Sequence, residues 1–572
     1  MRLGEALRGG TPRKDVIAGL TVWAVLVPEA LAYATIAGVD PVVGLYAAVP
    51  SLILYSVFGT SRRLVVGPMA ASAALSAAVV GALHPGDDAA FLALTTGAAL
   101  VTGLLCIVAG VARLGVLASF VSEPVLKGFI IGMAIVIIVG QVPKLLGLDS
   151  VDGNAVEKTI GVFGELGDIH GASALLGIAA LALALSLRRW APKVPGALVV
   201  VAAGVLVSVF LGLGDQGVEI VGHIEPGIPT LGLPDLALSD YSDLLVPALG
   251  IMAVAFAESL GAARSSATTE KIDANRELIG MGMSNIGSGL AGGMVVNGSL
   301  SKTAVNSAAG GTSQWSSIVA GILTLATLLF LTPLFEPLPE PVLAAVVIAA
   351  VLELVDIKAL VRLWKLATPL HGVRYGGAAR SDFWAAAATL LGVLLIDTLP
   401  GLVIGVIISI LLLLSRASKP HIAELGQTGD LWVDTDRATA HGRSTTPHEG
   451  MVVLRVEGGM FFANSTMIED FVEARVDKDT RAVVLDAQTV PFVDVTAAKM
   501  LVELRDSLQS KGVTLYLTRD VGQVRDLIRN AEPSREFMPH VVPDVHAAVA
   551  AFDESEKGTS AGGTTPGSTP DA

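Results

Sequence analysis

Apolar residues gather into long runs separated by short polar turns, and the pattern changes after Lys419. A helix crossing the ~30 Å hydrocarbon core of a bilayer needs about 20 apolar residues. The clearest runs cover residues 91–112, 128–142, 172–187, 198–213, 244–257, 318–331, 342–354, 383–396 and 401–414. Five more, at 16–37, 41–58, 68–83, 278–294 and 299–309, are interrupted by Gly, Pro or Ser. Together they predict a polytopic α-helical membrane region of about 14 segments over residues 16–417, some too short to cross alone. A short segment, 1–15, precedes it. The first run lacks a small-residue cleavage site and leads straight into another span, so it reads as a span and not a signal peptide.

Beyond residue 417 the expectation is a linker at 418–450, its part at 426–450 a polar linker or hairpin, then an α/β domain at 451–553 and a disordered low-complexity tail at 554–572. In the domain, residues 451–457 (MVVLRVE), 482–486 (AVVLD) and 513–518 (VTLYLT) read as strands. Residues 465–476, 496–510 and 521–530 read as helices between and after them. Such alternation predicts βαβ units and a small, mostly parallel sheet.

Composition narrows the class. The 572 residues are 52% hydrophobic and 16% charged, against roughly 25% charged for a soluble domain, which excludes disorder for the bulk. A net charge of −14 has the wrong sign for a nucleic-acid partner. Cys106 is alone, so no disulfide framework exists. Charge placement sets orientation. With fourteen alternating segments, one face collects Arg13, Lys14, Arg62, Arg63, Arg188, Arg189, Lys358, Arg362, Lys365 and Arg416. The other face has Lys158 in its loops, among Asp149, Asp152, Glu157, Asp215 and Glu219. Basic loops stay in the cytoplasm, so both termini are expected there, in the cytoplasmic membrane.

The two halves of the membrane region echo each other. Residues 65–75 read VVGPMAASAAL and residues 295–305 read VVNGSLSKTAV. Each has two Val, a Gly, then small residues able to start a helix. Interrupted segments at matching places in two halves point to a transporter's binding site. Two half-helices of about ten residues, ~15 Å each, would meet at the midplane with their N-termini converging. Each end carries roughly half a positive charge and free N–H donors, which suits an anion. Small residues also allow close helix packing, the competing reading.

Longer motifs surround this echo: AGLTVWAVLVPEALAYATIAGVDPVVGLYAAVPSLILYSVFGTSRRLVVGPMA at 18–70 and DANRELIGMGMSNIGSGLAGGMVVNGSLSKTAVNSAAGGTS at 273–313. With FVDVTAAKML at 492–501, they resemble the sulfate permease (SulP) anion transporters that carry a C-terminal cytoplasmic STAS domain. The resemblance implies a seven-plus-seven inverted repeat like the uracil transporters. Core segments 1–4 and 8–11 would move against gate segments 5–7 and 12–14 in an elevator-like cycle, usually in a homodimer. It places the anion at Met69 and Ala70 and at Ser299, Leu300 and Ser301, with Lys302 at the family's usual Arg. Segment 8 of the family often carries an Ala-Glu-Ser triplet, here Ala257, Glu258 and Ser259. One departure stands out: Glu29 follows Pro28 where the family usually has Gln, and Tyr33 lies one turn on.

Ionisable residues inside a membrane cost about 2.5–3.5 kcal/mol on insertion scales, so Glu29, Glu258 and Lys302 are functional candidates. Two helix N-termini and Lys302 sum to roughly +2, which suits a divalent anion; two ionised carboxylates nearby would cancel it. The expectation is that Glu29 or Glu258 takes up a proton, or holds a sodium ion with Ser259, Thr303 or Asn306, before the anion binds. No other cofactor and no metal cluster is expected. Asn285, Asn297 and Asn306 read as partners of interrupted backbone. In the C-terminal domain, Asp494 and Thr496 are the regulatory candidates: related anti-sigma-factor antagonists phosphorylate a hydroxyl just after this Asp. Val495 fills the first position, and an N-cap role competes for Thr496.

The leading function is secondary active transport of a small inorganic or organic anion, sulfate first and bicarbonate or a dicarboxylate as alternatives. A nucleobase carrier of the same fold and a membrane-anchored STAS sensor binding a cytoplasmic partner are the competitors. Without a GxxxxGK[ST] loop, ATP drive would need another chain, and no metal-ligand spacing supports an enzyme.

Overall fold

The computed structural model describes the chain apart from residues 1–6, 8–9, 84–86, 116–121, 150–152, 192–193, 224–226, 228–230, 268–269, 368–375, 397, 519–539 and 562–572. It divides into two compact units, one of residues 1–369 and 374–410, the other of residues 370–373 and 411–572.

The first unit begins with α1 (Pro12–Ile36), α2 (Pro41–Phe58), β1 (Val65–Gly67), α3 (Ala70–Ala82), α4 (Asp88–Val111), α5 (Glu123–Leu146), α6 (Ala155–Gly164), α7 (Gly171–Trp190) and α8 (Gly196–Leu211). It continues with α9 (Leu238–Ser266), α10 (Ala274–Leu290), β2 (Asn297–Ser299), α11 (Leu300–Ala308), α12 (Trp315–Ala326), α13 (Glu340–Val351), α14 (Ile357–Ala367), α15 (Gly376–Leu395) and α16 (Thr398–Ala417). Each of the fourteen expected segments falls on a helix. Among the described residues, 8 helices are long and apolar enough to cross a membrane. α3, α8 and α13 are shorter apolar helices. Two further helices, α6 and α14, were not anticipated, because each is too short and too charged to stand out as an apolar run.

Small residues let the helices close. A Cβ on Gly103 of α4 would lie 2.8 Å from the Gly282 carbonyl of α10, and one on Gly282 would lie 2.7 Å from the Gly103 carbonyl. Reciprocal glycines therefore set the α4–α10 contact, the device expected where lipid gives helices no hydrophobic reason to associate. α1, α2, α4, α9, α10 and α12 pack chiefly on one another, whereas α5, α7, α13 and α15 form a second set of mutual neighbours.

The second unit holds one six-stranded sheet of order β4-β3-β5-β6-β7-β8. Its strands are β3 (His421–Thr428), β4 (Leu431–Asp434), β5 (Met451–Glu457), β6 (Ala482–Asp486), β7 (Thr514–Thr518) and β8 (Val541–Val542). β5 to β8 run parallel, while β3 is antiparallel to both β4 and β5. The helices are α17 (Thr435–Ala440), α18 (Ser465–Glu473), α19 (Val495–Ser510) and α20 (Val545–Ala561). Val483 and Leu485 of β6 pack with Ile468 of α18 and Leu501 of α19. Ala482 and Val484, on the other face, pack with Val545 and Phe552 of α20. β6 is thus buried on both faces, as its unbroken apolar run requires.

Three boundaries differ from expectation. Residues 418–450 are not a plain linker, because β3 and β4 add an antiparallel edge to the sheet. Their apolar positions, Ile422, Ala423, Leu425 and Trp432, are buried but too interspersed with polar residues to read as a strand. The tail does not begin at 554, since α20 runs to Ala561. α1 starts at Pro12, inside the expected N-terminal segment 1–15. The expected helix at 521–530 lies outside the described residues.

Candidate functional site

The site grows from the two broken segments. β1 and β2 pair antiparallel, with Val65 opposite Ser299 and Gly67 opposite Asn297. In the first half the two Val residues form the strand; in the second they precede it, so the echo is offset by two residues. α3 follows β1 and α11 follows β2, so each short helix continues from one strand of an antiparallel pair. At 13 and 9 residues they span about 20 and 14 Å, each short of a full crossing.

Backbone broken inside a membrane must find partners, and polar side chains supply them. Asn285 accepts from Val296 N at 2.9 Å and donates to Val296 O at 2.9 Å. Thr303 Oγ1 accepts from Val65 N at 3.0 Å, and Asn306 Nδ2 donates to Arg63 O at 2.9 Å. Ser259 Oγ accepts from Gly298 N at 2.7 Å. These groups close the crossing with hydrogen bonds from side chains of α9, α10 and α11 to the broken backbone.

Where the half-helices start, charge converges. Lys302 is 1% exposed, and its Nζ lies 2.7 Å from Glu29 Oε2. The same ammonium donates to Pro68 O at 3.2 Å, lies 3.6 Å from Met69 Sδ and sits 4.9 Å from the Tyr33 ring centroid. The first turn of α11 thus touches the last residues before α3, and Glu29 and Tyr33 of α1 complete the cluster. Pro28 breaks the α1 hydrogen-bond ladder beside Glu29. Of the other expected residues, Ala70 opens α3 and is buried. Ser299 caps α11 by accepting from Lys302 N at 3.1 Å. Ser301, exposed, has its hydroxyl 3.2 Å from that of Ser299. Leu300 is 59% exposed and takes no part in the Lys302 cluster. Glu258 is held elsewhere: its Oε2 accepts from Asn297 Nδ2 at 2.7 Å, and Asn297 Oδ1 accepts from Ser72 of α3 at 3.2 Å. It braces β2 and α3 and does not pair with Lys302.

A cavity of about 790 Å³ reaches Glu29. Ile17, Thr21, Val25 and Glu29, spaced four residues apart on one face of α1, line it, together with α7, α8, α11 and α13. Arg188 of α7 is also in its wall.

Two buried carboxylates escaped the sequence reading. Glu277, in the first turn of α10, accepts from Tyr55 Oη at 2.6 Å, Thr60 N at 2.7 Å, Ser61 N at 3.2 Å and the Thr60 hydroxyl. Asp15, in the first turn of α1, accepts from Thr312 N at 2.6 Å, Ser313 N at 3.1 Å and both hydroxyls. Each clamps a Gly-Thr-Ser loop beside a half-helix, and Gln314 Nε2 joins the loops by donating to Ser61 O and Leu64 O. The repeated triplet at 59–61 and 311–313 was the available signal, though a third copy at 558–560 lies outside the membrane region.

In the second unit, Asp494 is the cap of α19. Its Oδ1 accepts from Ala497 N and its Oδ2 from Phe462 N, both at 2.8 Å. The N-cap role weighed for Thr496 therefore belongs to Asp494; Thr496 is exposed in the first helical turn.

A helical membrane unit with two half-helices crossing at a buried cation, joined to a parallel-sheet domain, defines a multi-pass membrane transporter. Residues 13–370 match the model of the sulfate permease family and residues 443–548 that of the STAS domain. The chain belongs to the sulfate permease family of anion transporters. It is 34% identical over 551 residues to a probable sulfate transporter of Mycobacterium tuberculosis, covering 94% of this chain and 95% of that one. It is 30% identical over 541 residues to sulfate transporter 3.1 of Arabidopsis thaliana, covering 90% and 80%. Its fold matches the murine solute carrier 26 member A9 anion transporter with a TM-score of 0.85 at 22% identity, over 95% and 91% of the two chains. The transmembrane domain of a cyanobacterial bicarbonate transporter matches with a TM-score of 0.57 at 22% identity, over 70% and 97%.

Proposed function

We propose that this protein is a secondary active transporter that moves sulfate with protons, binding the anion where α3 and α11 begin. The observation that carries the reading is the Lys302–Glu29 contact at 2.7 Å. Two helix N-termini contribute roughly +1 and Lys302 one more charge, while ionised Glu29 takes one away. With Glu29 ionised, its carboxylate occupies the ammonium that an arriving anion needs. Protonating Glu29 frees Lys302 and restores about +2, the match for a dianion. One proton would therefore enter with each anion. The sulfate transporters among its relatives support this choice of substrate over bicarbonate or a dicarboxylate.

In this reading Met69, Ala70, Ser299, Leu300 and Ser301 supply backbone N–H groups and hydroxyls, and Tyr33 walls the ammonium. Glu258 acts through Asn297, holding β2 in place, and its proton or cation is the second coupling route. The basic loops face the cytoplasm, so the cavity past Ile17 and Thr21 opens inward. The α1–α4 and α9–α12 body slides against α5, α7, α8, α13 and the later helices. The protein works as a homodimer, with the STAS domain as its docking or regulatory part through Asp494 and Thr496.

Uptake of radiolabelled sulfate, bicarbonate and fumarate into proteoliposomes tests this, with an inward proton gradient, an inward sodium gradient or neither. Proton-stimulated sulfate uptake is expected. Sodium-stimulated uptake, or uptake of another anion alone, overturns the corresponding part, and no uptake by folded protein overturns the whole.

A further inference from the structure

Two short helices, α6 and α14, join successive membrane segments without crossing. Each presents large apolar side chains to the outside at one spacing, i, i+4 and i+7. On α6 these are Val156, Ile160 and Phe163, at 42%, 66% and 69% exposed. On α14 they are Ile357, Val361 and Trp364, at 61%, 44% and 49%. Three residues so spaced form one stripe, and three exposed large apolar groups in a row suit contact with acyl chains, not water.

The helices differ in charge. α6 carries Glu157 and Lys158, which cancel; α14 carries Lys358, Arg362 and Lys365 and no acid. These three bases are exposed and also spaced i, i+4 and i+7, so they form a second stripe flanking the apolar one. The remaining sector, with half-buried Leu360 and Leu363, faces protein: α14 packs on α15 and α5, and Trp364, at the border of this sector and the apolar stripe, meets the Phe383 ring edge-on at 4.9 Å while remaining 49% exposed. One sector is thus committed to the fold, one suits acyl chains, and one is cationic beside it.

We propose that α14 lies in the membrane plane and binds anionic phospholipid headgroups along Lys358, Arg362 and Lys365. Basic residues beside an anionic leaflet are attracted to it, and the attraction fades within a Debye length. The charge must therefore lie at headgroup level, where the exposed apolar stripe would hold it. The comparison with α6 isolates the cause, because the same apolar spacing without net charge gives a helix indifferent to headgroup charge. In the fourteen-segment topology α6 follows the fifth segment and α14 the twelfth, so they lie on opposite faces, α14 on that of the N-terminus. That placement rests on the transporter reading; the lipid preference does not, since its measurement involves no transport.

The test uses the full chain in vesicles, with a fluorophore on Val361→Cys or, as the internal control, on Ile160→Cys. Cys106 is buried, and wild-type protein gives its background labelling. Nitroxide-bearing phosphatidylglycerol should quench the Val361→Cys label at about fivefold lower mole fraction than nitroxide-bearing phosphatidylcholine. The K358Q/R362Q/K365Q variant should make the two lipids equal, as they should be for Ile160→Cys in either background. Equal quenching by both lipids at the unaltered α14 overturns the headgroup preference. No quenching by either shows that protein, not lipid, covers the stripe, and overturns the proposal entirely.

Discussion

The membrane unit buries carboxylates in two settings, and the difference matches the proposed division into scaffold and site. Glu277 and Asp15 clamp Gly-Thr-Ser loops, and each accepts from two backbone N–H groups and two hydroxyls. Glu29 faces one ammonium, that of Lys302. A carboxylate ringed by fixed donors is costly to protonate or displace, because each donor would be left unpaired. One held by a single cation can be exchanged for another anion. The second unit repeats the first pattern: Asp486 pairs with Arg455 at 2.9 Å but also accepts from Gln488 N at 3.2 Å and Thr518 Oγ1 at 3.3 Å.

The largest effect that could break this comparison is at the clamps. Glu277→Ala leaves four donors without their acceptor and should destabilise the membrane unit by about 3–5 kcal/mol. The check is a thermal-shift measurement on purified protein, and a midpoint within a degree of wild type would show that the clamp is dispensable. Lys302→Ala, by contrast, should lower anion uptake at least about 100-fold while the protein still folds. Retained uptake would remove Lys302 from the site.

Glu29→Gln sharpens the contrast. On the proposed coupling, wild-type uptake should rise as the pH on the loading side falls. The amide variant should be flat with pH and keep a rate within about tenfold of wild type. A pH profile unchanged by the substitution would move coupling to Glu258. In the second unit, Asp494→Ala removes the acceptor for two backbone N–H groups and should cost about 1–2 kcal/mol, read as a lower midpoint for the sheet domain alone.

The smallest effect is at His540. Burial, then the nearby Arg505 charge, holds this imidazole below its ordinary value. The folded domain favours the neutral ring, so its contribution is complete above the unfolded value of about 6.5. It is lost as pH falls through the lower folded value. A melting series across this range should slope downward with acid, and His540→Gln should flatten it.

The sequence determined the membrane segments because apolar length is a local property, and a bilayer demands it of every crossing helix. It also disclosed the two broken segments, since Gly, small residues and a repeated dipeptide stand out against apolar runs. The strands at 421–428 and 431–434 could not be told from a linker, because their apolar positions are interspersed with polar ones and pairing of β3 with β4 and β5 defines them. α6 and α14 were hidden for a similar reason: each is short and mixes charged with apolar residues.

At the site the division is sharper. The residue types and segments were readable, but which carboxylate Lys302 meets is a contact between positions 273 residues apart. Only tertiary structure decides that. It gave Glu29 the ammonium and Glu258 the Asn297 amide, although both had looked equivalent as acids inside a membrane. It likewise turned Asp15 and Glu277 from ordinary acids near helix starts into buried clamps, because their donors come from loops in the opposite half of the repeat.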